Sequence, residues 1–247
     1  MECKQSFFKI REGKMSVVAI IPARGGSKRI PHKNIKPFFG KPMISYSIEA
    51  VKNADIFDRI IVSTDSKEIA SIAKKFGAEV PFIRPVELAD DFSGTDAVIL
   101  HALKRLMEDG EKIDYICCIY ATAPFVKAEY IIKGYNLLRE KNAASCFSVT
   151  TYPFPIFRSL KINSQNRLEM FWPEYRETRS QDLVEAYHDA GQFYWADAKE
   201  YLKEKQFYSK DSVPIILPRY LVQDIDTPED WETAEKMYST LQMNKTK

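Results

Sequence analysis

Residues 17–34 read VVAIIPARGGSKRIPHKN, and the fold is decided there. Val17 through Ile21 are five apolar residues, four of them β-branched, which predicts a buried parallel strand. Pro22 ends the run, since proline cannot donate to a sheet ladder. Gly25 and Gly26 follow, opening the backbone to conformations closed to other residues. The loop they form carries Arg24, Lys28, Arg29 and Lys33. Such a loop suits a polyphosphate, because backbone N–H groups approach closely while side chains neutralise charge. Its spacing fits neither G-x-x-x-x-G-K-[ST] nor G-x-G-x-x-G, so a solvated basic turn is the competing reading.

The 247 residues, 45% hydrophobic and 28% charged, are enough for one large α/β domain or two small ones, with an ample core. A net charge of +2 argues against a general nucleic-acid coat, so any positive patch is local. No run approaches ~18 consecutive apolar residues, so no membrane span is expected. Four cysteines, Cys3, Cys117, Cys118 and Cys146, form no C-x-x-C pair, which points to buried thiols in a reducing, cytoplasmic compartment. Residues 1–14 lack the apolar core of a secretory signal and are set aside as a leader or loose arm, leaving residues 15–243 as the expected domain.

Outward from the glycine loop, helical spacing is predicted over residues 42–53, 66–76 with Gly77 closing it, 96–107 and 128–140. Apolar strands are predicted at 59–64, 115–121 and 144–150. This alternation is the pattern of a parallel sheet with crossover helices. From 152 to 182 it breaks: Pro153, Pro155 and Pro173 interrupt, aromatics are dense, and the turn-like SQNR predicts a hairpin within 160–170. That segment reads as an insertion with an apolar surface, either a subunit interface or a loop folded on its own core. Residues 186–195 lead into a helix at 197–204, and 213–217 and 220–222 read as late strands. Thr227, Pro228 and Asp230 then supply the cap, first-turn proline and capping-box acid of a closing helix.

Asp224 and Asp226 stand two apart at the end of the last of these strands, so both carboxylates face one side while Ile225 turns into the core. Two hard oxygen donors suit Mg2+, which prefers carboxylate, water and phosphate oxygens. The alternative is that they simply begin the last helix. Because α/β sheets bind ligands beyond the carboxyl ends of their strands, cations on one lip and carboxylates on the other describe a crevice for a metal–nucleotide complex. Asp65 is read as a helix cap, and Arg84 with Ser93 and Thr95 as donors near the same edge. Of the three histidines only His188, in a polar turn beside Asp189 and Gly191, is placed for a ligand, and no nucleophile supports a hydrolase triad.

PARGGSKRIPHKN, FDRIIVSTD, FIRPVELADD and QDIDTPED, in that order, closely resemble the cytidylyltransferases that activate nonulosonic acids, the CMP-sialic acid synthetases, over residues 15–237. Within that family RSQDLVEAYHDAGQFYW is most similar to the pseudaminate branch. The resemblance implies a Rossmann-like three-layer, mostly parallel sheet of the nucleotide-diphospho-sugar transferase type, with residues 152–182 as an inserted dimerisation segment. It implies Mg2+ dependence, a homodimer, and the reaction of CTP with the sugar acid to give CMP-sugar and pyrophosphate. By the same resemblance Ala23, Arg24, Gly25, Gly26, Lys28 and Lys33 cradle the triphosphate, and Asn34, Arg84, Ser93 and Thr95 hold cytosine and ribose. Asp224 and Asp226 correspond to the metal aspartates, Arg24, Lys28 and Asp226 to the catalytic set, and Tyr120, His188, Gln192 and Tyr194 to the sugar pocket.

The chain departs from the sialate enzymes at YATAPFV, with Tyr120 for their Gln and Val126 for their Arg, and at His188, where they carry Arg. These changes make the pocket less polar, which matches an acid ending in a methyl group and bearing a second acylated nitrogen. Legionaminate, sialate or Kdo as acceptor, a transferase for neutral sugar phosphates, and a non-catalytic nucleotide-binding module are the alternatives.

Overall fold

A computed structural model describes residues 15–90 and 93–243. The expected leader, residues 1–14, and Cys3 with it, lie outside the described residues. In chain order the elements begin β1 (Val17–Pro22), β2 (Pro37–Phe38), β3 (Lys41–Pro42), α1 (Met43–Ala54), β4 (Arg59–Ser63), α2 (Lys67–Lys75) and α3 (Thr95–Glu108). They continue β5 (Tyr115–Ile119), α4 (Ala128–Lys141), β6 (Ser145–Thr151), β7 (Leu160–Ile162), β8 (Leu168–Met170), β9 (Tyr187–Asp197), α5 (Ala198–Glu204), β10 (Ser212–Ile216) and α6 (Pro228–Met243).

Six strands form one sheet in the order β10-β6-β9-β5-β1-β4. Strand alternation divides its side chains between two cores. Val17, Ala19 and Ile21 pack with Ile44, Ile48, Ile131 and Leu138 from α1 and α4, while Val18 and Ile20 pack with Ile99, Leu103 and Leu106 of α3. The result is the three-layer, mostly parallel α/β sheet expected. A third cluster, built on Phe38, Tyr46, Ile225 and Trp231, seats α6 beneath the loops at the carboxyl edge.

Two readings need correction. Residues 187–197 form the longest strand, β9, antiparallel to both β5 and β6 in the middle of the sheet. The polar opening Tyr187-His188-Asp189 and Gly191 disguise it, and a register shift opposite Phe147 and Val149 interrupts its period. Residues 220–222, expected as a late strand, do not form one: Arg219–Leu221 make a 3-10 turn instead, so Asp224 and Asp226 stand on an extended loop. Their shared facing survives, since Ile225 between them is fully buried.

In the 152–182 segment, β7 and β8 pair as a hairpin with Leu160 opposite Met170 and Ile162 opposite Leu168. Its other face carries the Lys161–Glu169 ion pair at 3.3 Å. Leu160, Ile162 and Leu168 are exposed, so the hairpin turns an apolar face to solvent.

Candidate active site

The chain leaves β1 under tight control. Ala23 N–H donates to the Ser63 carbonyl at 2.9 Å, Gly25 N–H to Asp65 Oδ1 at 2.8 Å, and Asn34 Nδ2 to the Arg24 carbonyl at 2.9 Å. Asp65 is therefore not the cap of α2. Ser66 is, accepting from Ile69 N–H at 3.3 Å, which frees the Asp65 carboxylate to anchor the loop. Nor do the paired glycines use left-handed backbone: the positive φ in this loop belongs to His32, at 54°. Space at Gly25 is tight, since a Cβ there would stand 3.1 Å from Ser66 Cβ. Ala23, Gly25 and Gly26, expected at the triphosphate, are not among the residues that line the adjoining cavity.

In front lies a cavity of about 510 Å3, of the size that takes a small-molecule ligand. Seven of the expected nucleotide residues line it: Arg24, Lys28, Lys33, Asn34, Arg84, Ser93 and Thr95. Arg24 donates to the Asp90 carbonyl across the mouth. Arg84 is buried, its Nη2 on the Ser63 carbonyl and its Nε 3.2 Å from Ser63 Oγ. Burial lowers its pKa to about 10, opposed by Asp65 and reinforced by Arg24, so it stays charged at neutral pH. Ser93 N–H donates to Asp90 Oδ1 at 2.7 Å, and Thr95 Oγ1 lies 2.9 Å from the Tyr120 hydroxyl.

Asp226 closes the opposite lip. Lys33 Nζ reaches its Oδ1 at 3.2 Å and the Ile225 carbonyl at 2.6 Å, and Arg29 Nη2 lies 2.9 Å from its Oδ2. Asp224 is exposed beside the cavity rather than in its lining, and desolvation by the surrounding protein first, then the Asp226 charge, raises its pKa while Lys33 opposes. The loop is fixed from below by Asp230, whose Oδ2 accepts from Asp226 N–H at 3.1 Å, Thr227 N–H at 2.7 Å and Thr227 Oγ1 at 2.8 Å. Two crowded carboxylates beside a phosphate-sized basic loop are a donor set that fits a divalent cation completing its shell with phosphate and water. Among the described residues no cluster of three or more His, Cys, Asp or Glu forms a self-sufficient metal cage.

The expected sugar residues divide. Tyr120 lines the cavity, and the buried Tyr194 packs behind it with ring centroids 5.2 Å apart. Gln192 is buried and its amide donates to the Leu221 carbonyl, so it braces the 3-10 turn. His188 lies in β9 rather than a turn, its ring 4.8 Å from Tyr152, away from the cavity lining. Arg29, expected as a loop cation, and Pro22, expected as the strand's end, also line the cavity, as do Ser27, Val98, Ala121 and Thr122, which were not singled out. Ala121 and Thr122 follow the carboxyl end of β5, the signal that would have found them.

A family model described as cytidylyltransferase matches residues 18–245. A pseudaminic acid cytidylyltransferase of Campylobacter jejuni subsp. jejuni is 43% identical over 224 residues, 91% of this chain and 97% of its own. A CMP-N,N'-diacetyllegionaminic acid synthase of Legionella pneumophila is 34% identical over 90% of this chain and 96% of its own. A solved structure of CMP:2-keto-3-deoxy-manno-octonic acid synthetase complexed with CTP superposes with a TM-score of 0.67 at 14% identity, covering 91% of this chain and 99% of that one, which is a likeness of fold. With the family model spanning nearly its whole length and relatives this similar, the chain belongs to the cytidylyltransferase family.

Proposed function

We propose that this enzyme transfers CMP from CTP to pseudaminic acid, giving CMP-pseudaminic acid and pyrophosphate. The observation that carries the reading is the crevice with Arg24, Lys28 and Lys33 on one lip and Asp226 on the other, at the carboxyl edge of the sheet. The 43% identity to the Campylobacter pseudaminic acid cytidylyltransferase supports the acceptor, as does Tyr120 in place of a polar Gln. The 34% identity to the Legionella synthase favours legionaminic acid as the second reading.

In this account the triphosphate lies along the basic loop, and cytosine and ribose lie toward Arg84, Ser93 and Thr95. The acceptor's anomeric hydroxyl attacks the α-phosphorus in line, and the bond from that phosphorus to the bridging oxygen of the β-phosphate breaks. Arg24 and Lys28 neutralise the departing pyrophosphate. Asp224 and Asp226 would hold Mg2+, which when bound supplies charge stabilisation for the phosphate oxygens. Lys33, bridging the Ile225 carbonyl and Asp226, keeps the aspartate loop against the basic loop. The apolar hairpin face supports residues 152–182 as the contact of a homodimer. The buried, unpaired Cys117, Cys118 and Cys146 fit a reducing compartment such as the cytoplasm.

Pyrophosphate release, measured for each nucleoside triphosphate with a panel of nonulosonic acids, tests the proposal. Release confined to CTP and highest with pseudaminic acid is expected. A preference for N-acetylneuraminic or legionaminic acid would overturn the acceptor, and the absence of release from CTP with every acid of the panel would overturn the reaction.

A further inference from the structure

Behind the cavity wall one carboxylate gathers two phenols from separate parts of the fold. Asp189 Oδ2 accepts from the Tyr194 hydroxyl at 2.6 Å and the Tyr208 hydroxyl at 2.7 Å. Its Oδ1 accepts from Gly191 N–H at 2.8 Å, which holds the turned backbone of β9, where Gly191 has φ 61°. Tyr194 packs against Tyr120 with the rings tilted by 44°, and Tyr120 is tied through its hydroxyl to Thr95 in the cavity. Tyr208 packs on Phe147, 4.7 Å between centroids, and Phe147 packs in turn on Tyr194. A continuous aromatic layer thus runs from the cavity to Asp189. The same corner abuts the aspartate loop, since a Cβ on Gly191 would lie 4.0 Å from Asp224 Oδ1.

Satisfying buried hydroxyls is one role open to Asp189. That need is real for Tyr194, which is 3% exposed. Tyr208 is 54% exposed, and water would satisfy its hydroxyl equally well. Its bond to Asp189 therefore supplies orientation, and a carboxylate, accepting only, fixes the direction of both O–H groups. Aromatic faces held in one orientation receive methyl and acyl groups well and a polyhydroxylated tail poorly.

We propose that Asp189 is a positioning residue for acceptor selectivity, holding Tyr194 and Tyr208, and through Tyr194 the cavity residue Tyr120, in the orientation that favours a deoxy, doubly acylated nonulosonic acid. The inference rests on the acceptor reading above and adds a residue on which that reading does not depend.

The test measures kcat and KM for CTP and for the acid separately, with pseudaminic and N-acetylneuraminic acid, in wild type, Asp189→Ala, Asp189→Asn and Tyr208→Phe. Asp189→Ala should raise the pseudaminate KM about 10-fold and narrow the kcat/KM ratio between the two acids about 10-fold, with the CTP KM within about two-fold of wild type. Asp189→Asn, whose carbonyl still accepts, should recover part of the ratio. Tyr208→Phe loses only an exposed hydroxyl, so it folds even if Asp189→Ala does not, and it should shift the ratio the same way. An unchanged ratio in Tyr208→Phe, or CTP and acid KM rising together in Asp189→Ala, would overturn the inference while leaving the wild-type reaction standing. A wild type inactive with every acid would overturn the acceptor reading and the inference with it.

Discussion

Asp65 shows how much a single carboxylate can decide. It accepts the Gly25 N–H at 2.8 Å, lies beside the buried Arg84, and leaves the capping of α2 to Ser66. Removing it takes a charged acceptor from the loop backbone, a bond of about 1.5–3 kcal/mol. Asp65→Ala is therefore expected to raise the CTP KM about 10-fold or more with little loss of α2, checked by initial-rate kinetics alongside circular dichroism. A CTP KM equal to wild type would show that the loop is set by other contacts. The sequence hid this role because a cap and an anchor draw on the same residue types at a strand end, and only the distance to Gly25 separates them. His188 misled for a related reason: neighbouring Asp189 and Gly191 gave it the look of a polar turn, whereas pairing with Thr150 places it in a strand.

At the level of elements, the N-terminus of α6 and the aspartate loop are one unit. Thr227 and Asp230 exchange the capping bonds, with Asp230 N–H on Thr227 Oγ1 at 3.2 Å and Thr227 N–H on Asp230 Oδ2 at 2.7 Å. Burial pushes the Asp230 carboxyl up, but hydrogen bonds from Thr227 and Asp226, joined by the Arg29 charge, together hold it below its ordinary value. A carboxyl lowered in the folded state contributes stability that is present above its unfolded value of 3.8 and lost as pH falls through its folded one. Asp230→Asn should thus lower the melting temperature at neutral pH, and the gap to wild type should close in strong acid. An equal gap at all pH values would assign the loss to packing. This cap was legible because its chemistry is local, as were β1, β4, β5, α1 and α3, whose periods are unbroken. By contrast β9 was not, because its place depends on β5 and β6, far away in sequence, and on a register shift that no local pattern announces.

For the whole molecule, the loops at the carboxyl edge of the sheet gather both lips of the crevice from opposite ends of the chain, with Lys33 and Asp226 193 residues apart. The meeting of the basic glycine loop with the distant Asp226 was the readable part of this cavity, and the order of strands between them was not needed to read it. At the same scale, the hairpin's apolar face predicts a dimer in sedimentation equilibrium. The double change Ile162→Glu and Leu168→Glu should yield a folded monomer, since both side chains are exposed in the chain alone. A wild type that sediments as a monomer at all concentrations would remove the dimer. Transfer of the CMP group of CTP to a nonulosonic acid is followed by 31P NMR of the enzyme with CTP, Mg2+ and pseudaminic acid. Loss of the three CTP resonances in favour of one phosphodiester and pyrophosphate is the predicted result. Unconsumed CTP, or free CMP with pyrophosphate and no sugar phosphodiester, would contradict it.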